Sequence, residues 1–166
     1  MDRGLLVCHK YDPSWLLLRM ASRGLPIECD ILVKDNDDAR DLIAMFPNLN
    51  IWLKELTKYY EWAAKHRFFI SSYCRVHTYG RTAVENACLG IPHIGSSVTS
   101  AMDRLWPELC VDPQDAYGMN ILANRLISDQ TFFDDVVGFA YEQVEHYSYD
   151  ARKQAFLEML DGKVVE

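Results

Sequence analysis

Residues 68–95 read FFISSYCRVHTYGRTAVENACLGIPHIG, and this stretch decides the architecture. Phe68-Phe69-Ile70 is an unbroken apolar run, the pattern of a strand covered on both faces, and it ends in Ser71-Ser72. Polar residues follow as far as Tyr79. A short helix is then expected from about Gly80 to Leu89, with Gly90 as the C′ glycine that stops it. Pro92 to Gly95 reads as the next strand. Strand, helix and strand in that order predict a parallel pair joined by a right-handed crossover.

The same alternation extends outward in both directions. Leu5-Leu6-Val7-Cys8 predicts a first strand, and Asp12-Pro13 supplies an N-cap and a first-turn proline for a helix through Trp15, Leu18 and Ala21 that ends before Gly24. Asp30 to Val33 reads as a second strand. A helix follows from Asp35-Asn36 through Ala39, Leu42, Ile43 and Phe46, stopped by Pro47. After a third strand at Ile51-Trp52-Leu53, Leu56, Tyr59, Tyr60 and Ala63 take the i, i+3, i+4, i+7 spacing of a buried helical stripe.

On the C-terminal side Leu109-Cys110-Val111 reads as a sixth strand. One helix is expected through Met119, Leu122, Ala123 and Leu126, another through Phe133, Val136, Val137, Ala140 and Val144, and a last one over about Ser148 to Leu160. No repeat, low-complexity tract or Gly/Ser linker interrupts the pattern. The expectation is one Rossmann-like α/β domain over residues 1–166, with a parallel sheet of about six strands flanked by helices.

Composition narrows the function. Of the 166 residues 49% are hydrophobic, enough for a core, while the net charge of −7 argues against a nucleic-acid partner that needs a basic face. No segment approaches the ~20 apolar residues of a membrane span, and Met1-Asp2-Arg3-Gly4 does not resemble a signal peptide, so a cytoplasmic chain is expected. Cys8, Cys29, Cys74, Cys88 and Cys110 are odd in number and form no C-x-x-C, which reads as buried free thiols. His9, His66, His77, His93 and His146 lack zinc spacing, so no metal is expected.

Open parallel sheets bind ligands at the carboxyl ends of their strands. That singles out His9 to Asp12, Lys34 to Asp37, Leu53 to Leu56 and, richest in polar residues, Ser71 to Arg81. Neither G-x-G-x-x-G nor G-x-x-x-x-G-K-[ST] is present. An anion could instead meet the helix start at Gly80-Arg81-Thr82, where free amides and the dipole favour negative charge and Gly80 permits close approach. One turn on, Glu85 could accept hydrogen bonds from a ribose diol. Arg81 and Glu85, four residues apart, also read as a surface ion pair contributing about 0.3–0.5 kcal/mol. Lys10 and His77 likewise read as ordinary loop residues.

The stretch His77 to Pro92, with Gly80, Glu85, Gly90 and Pro92 in register, resembles the signature of the C-terminal domain of GT-B glycosyltransferases, particularly the glycogen-synthase-like retaining group. The strand Ile94-Gly95, the Leu109-to-Asp115 segment and the helical C-terminus continue the resemblance, which is strongest from about Asn48 onward. It implies half of a GT-B fold that binds a nucleotide diphosphate sugar and transfers the sugar to an acceptor without an essential cofactor or metal. Glu85 then binds the donor ribose, and His77 occupies the position of the motif's first glutamate. Lys10 or His9 stands near the arginine position of the family's basic pair, Ser14 or Trp15 occupies the region of its lysine, and Arg75 or Arg81 compensates. The loop Leu53-Lys54-Glu55 resembles the one whose backbone reads the base. The acceptor site belongs to an N-terminal domain or a separate partner chain, against which the helix over about 148–160 packs. A non-catalytic nucleotide- or sugar-binding module that kept the fold is the competing expectation.

Overall fold

Phe68-Phe69-Ile70 is apolar throughout because its side chains alternate between two cores. In the computed structural model, which describes residues 3–7, 19–33, 50–53, 59–71 and 79–160, Phe68 and Ile70 enter the larger cluster with Ala83, Ile94, Trp106 and Met119. Phe69 enters the smaller one with Tyr59, Ala63 and Ile91. A strand with both faces covered has no use for a polar alternate position.

The strands are β1 (Arg3–Val7), β2 (Glu28–Val33), β3 (Asn50–Leu53), β4 (Phe68–Ser71) and β5 (His93–Ile94). They form one sheet in the order β3-β2-β1-β4-β5, with every adjacent pair parallel. The helices are α1 (Tyr59–Ala63), α2 (Arg81–Leu89), α3 (Ser100–Leu105), α4 (Ala116–Ser128), α5 (Gln130–Val144) and α6 (Tyr149–Leu160). This is the expected Rossmann-like α/β architecture. The predicted helices over 12–18 and 35–46 lie outside the described residues. The close of the first is seen, since residues 19–21 are helical and Gly24 takes φ 74°.

The expected sixth strand is reduced to a single residue pairing. Cys110 bridges Gly95, with Gly95 N–H donating to the Leu109 carbonyl (3.2 Å) and Val111 N–H to that of Gly95 (2.8 Å). Pro107 opens a 3-10 turn that consumes Leu109, and Pro113 closes the segment, so the prolines leave no length for a ladder. The short helix α3 was not expected; it buries Ala101, Met102 and Leu105 and leads into Trp106, whose indole N–H donates to the Ala83 carbonyl at 3.1 Å. Two aspartates set the C-terminal helices: Asp115 accepts from Gly118 N–H (2.8 Å) and Asp129 from Phe132 N–H (2.9 Å). On α5 the buried residues are Phe132, Val136 and Ala140, so Phe132, not Phe133, leads the core stripe.

At the amino ends of the strands Asp30 is buried between Arg3 and His66. Arg3 donates to Asp30 through Nε (2.9 Å) and Nη2 and to Glu28 through Nη1 (2.7 Å), while His66 Nε2 lies 3.1 Å from Asp30 Oδ2. This network ties β1, β2 and the entry to β4 at the end of the sheet opposite the strands' carboxyl ends. Cys29 is buried, its thiol pushed up to about 11 mainly by desolvation. Cys88 is exposed and Cys110 half-buried, against the expectation of burial.

Candidate functional site

Strand order 3-2-1-4-5 reverses direction between β1 and β4, and ligands of open parallel sheets bind in the crevice at that reversal, beyond the carboxyl ends. Val7 and Ser71, paired in register, are the last residues of those two strands. The next described residues are Tyr79 and Gly80, at the start of α2. Lys10, Lys54, Arg75 and His77 lie outside the described residues.

Gly80 has φ 80° and ψ 47°, and caps α2 from the left-handed region. Its carbonyl receives the amides of Ala83 (2.9 Å) and Val84 (3.4 Å), so the amides of Arg81 and Thr82 precede the first helical bond. The expected reason for a glycine here was room for a phosphate. The structure supplies another: a Cβ on Gly80 would collide with Thr99 Cγ2 and approach Ala101 Cβ at 3.3 Å. The chain itself requires this glycine.

Arg81 and Glu85 are brought together, with Nε 3.2 Å from Oε1, but they are not equivalent surface residues. The arginine side chain is 73% exposed and the glutamate 17%. Tyr60 of α1 donates its hydroxyl to the same Oε1 at 2.9 Å. This bond raises the Tyr60 pKa. Tyr59, by contrast, is buried and pushed up to about 12, first by desolvation and then by the charge of Glu85. The paired tyrosines of the predicted stripe thus divide: Tyr59 enters the core, and Tyr60, expected to be buried, faces the site. Glu85 borders a cleft of about 300 Å³ between α1 and α2, walled by Tyr60, Tyr79, Val84, Cys88 and Leu89. A carboxylate has about four lone-pair positions, so Glu85 has capacity for further donors.

A second polar group lies beneath the crevice. Ser71 Oγ is 2.7 Å from His93 Nε2, and the Asn86 side-chain amide is 3.3 Å from His93 Nδ1. His93 and Asn86 were not singled out from sequence; the signal was a histidine inside the otherwise apolar run Ile91–Ile94, directly after a glycine-closed helix. Among the described residues no three His, Cys, Asp or Glu side chains converge as a metal site requires, and no helix is long and apolar enough to cross a membrane.

No protein-family model and no curated protein matches the sequence. Solved structures do match in fold. A glycosyltransferase from Rickettsia africae superposes with a TM-score of 0.76 at 16% identity, over 96% of this chain and 47% of its own. Sucrose-phosphate synthase from Thermosynechococcus elongatus gives 0.73 at 16% identity, over 98% of this chain and 46% of its own. Anabaena HepE, solved in complex with UDP and glucose, gives 0.71 at 13% identity, over 96% and 48%. These neighbours are glycosyltransferases of the GT-B fold, and this chain spans about half the length of each.

Proposed function

We propose that this chain is the C-terminal, donor-binding half of a GT-B glycosyltransferase of the glycogen-synthase-like retaining group, taking a nucleotide diphosphate sugar. The observation that carries the reading is Glu85: a largely shielded carboxylate, fixed by Tyr60 and Arg81, one turn into the helix that begins beyond the carboxyl end of β4. On this reading Glu85 accepts hydrogen bonds from the ribose hydroxyls. The amides of Arg81 and Thr82 meet the diphosphate, where a helix start and a nearby cation stabilise the charge that develops on the leaving group. Lys10, Arg75, Lys54 and His77 complete the donor side from the loops, and no metal or cofactor takes part.

The acceptor side belongs to a second domain or partner chain. Helix α6 has no buried residue and exposes Tyr149, Phe156, Leu157, Met159 and Leu160, apolar surface that packing onto such a domain would cover. The chain is expected to act in the cytoplasm or at the periphery of a membrane.

A thermal-shift panel of nucleoside diphosphates and their sugar conjugates tests the reading. A ligand at a hundred times its Kd stabilises the chain by about 2.7 kcal/mol. Absence of any shift at millimolar concentration across all common bases overturns it.

A further inference from the structure

We propose that Ser71 is a ligand-binding hydroxyl, aimed by a buried relay through His93 and Asn86 so that its proton is donated to an oxygen of the bound diphosphate. This rests on the donor-binding reading above and adds residues that the sequence pattern did not assign.

The relay takes its direction from Asn86. As this side chain is oriented its NH₂ faces His93 Nδ1, and an NH₂ can only donate, so Nδ1 accepts from it. His93 is buried under Phe69 and beside α2, and desolvation lowers its pKa to about 3, so the ring is neutral and its one proton resides on Nε2. Nε2–H therefore donates to Ser71 Oγ at 2.7 Å. With that oxygen already accepting, the serine's own proton is what remains to be offered. Ser71 is the half-buried last residue of β4, paired with the last residue of β1 at the sheet's reversal, the place where an open parallel sheet takes its ligand.

Two features set this apart from core filling. Asn86 Oδ1 is buried with no hydrogen-bond partner among the described residues. An arrangement that served packing alone would be under pressure to satisfy it or replace it. Space for the pair is also reserved, since a Cβ on Gly95 would stand 3.2 Å from Ser71 Oγ and 3.4 Å from His93 Nε2. The group recognised is an acceptor, and a diphosphate oxygen is the strongest acceptor that a nucleotide sugar brings to a strand end.

The test measures binding of a nucleoside diphosphate and of the matching unphosphorylated nucleoside to the full chain, by calorimetry. Ser71→Ala and Ser71→Cys, the latter keeping the shape with a weak donor, should each lose roughly 10- to 100-fold in diphosphate affinity and leave nucleoside affinity unchanged. Equal loss for both ligands, or diphosphate affinity retained in folded variants, overturns the role of Ser71 while leaving the donor-binding reading intact. A wild-type chain that binds no nucleotide overturns both. Should both variants fail to fold, ¹⁵N spectra of the wild-type His93 ring decide: a neutral Nε2–H tautomer whose shift moves on adding nucleoside diphosphate supports the relay, and an Nδ1–H tautomer or no movement refutes it.

Discussion

Gly24, Gly80 and Gly90 share one backbone conformation, with φ of 74°, 80° and 68°, and differ in what surrounds them. A Cβ on Gly24 would meet nothing within 4 Å, and one on Gly90 would meet the hydroxyl of exposed Tyr141 at 2.9 Å. On Gly80 it would collide with Thr99, which is buried. Alanine at each position carries a left-handed penalty of about 1–2 kcal/mol, partly offset by about 0.4–1 kcal/mol from the stiffer unfolded chain. Gly24→Ala and Gly90→Ala should therefore each cost about 1 kcal/mol. Tyr141 can swing into solvent, whereas Thr99 is buried, so Gly80→Ala adds an overpacking cost of about 1–3 kcal/mol. Urea denaturation with unchanged m-values reads the series. Thr99→Ser, which removes the offending methyl, should recover the extra cost in the Gly80→Ala background and do little for Gly24→Ala. If Gly80→Ala proves as mild as Gly24→Ala, the glycine is not kept for packing against Thr99, and the steric reasoning fails.

Glu85→Gln should weaken nucleotide binding by more than it changes the unliganded stability; the reverse balance would return Glu85 to an ordinary helical ion pair. His66→Ala should cost about 2–4 kcal/mol in chemical denaturation, because it opens a cavity and removes a partner of buried Asp30; a loss under 1 kcal/mol contradicts the network. His93 supplies a pH signature. The unfolded chain takes up a proton below about pH 6.5 while the folded ring does not until about 3. Stability is therefore lost as pH falls through that window, by about 2 kcal/mol between pH 6.5 and 5. The pH dependence of wild type minus that of His93→Gln isolates this contribution, and a flat difference refutes it. Purified chain should bind donor yet transfer sugar only when an acceptor half is added, since alignment of two reactants is worth up to about 7–11 kcal/mol; efficient transfer by the chain unaided overturns the half-enzyme reading.

The strands and the major helices of the described residues were legible because their signals are local. Phe68-Phe69-Ile70 says by its lack of alternation that both faces are covered, and Gly90 closes α2 in the left-handed conformation expected of a C′ glycine. What escaped was set by tertiary context. Leu109-Cys110-Val111 has the composition of a strand, but Pro107 and Pro113 leave it a single bridging residue. Tyr59 and Tyr60 are the same residue type at adjacent positions, and only the docking of α1 against α2 sends one into the core and the other to Glu85.

The candidate site follows the same division. Arg81 and Glu85 could be paired from their spacing alone, yet spacing says nothing of the difference in exposure between them, which is what separates a solvated ion pair from one with a shielded carboxylate. Ser71, Asn86 and His93 come from three consecutive elements, the end of β4, the middle of α2 and the start of β5; Ser71 falls in a segment the strand end singles out, but nothing local in the sequence joins it to the other two. Two parallel strands must be joined by a crossover, and the helix of that crossover packs back over the strands it connects. Residues seven and twenty-two positions from His93 are thereby brought to its two ring nitrogens. The segment that decides the fold thus also builds the polar relay beneath the crevice, because the crossover forming the sheet is what closes the hydrogen bonds.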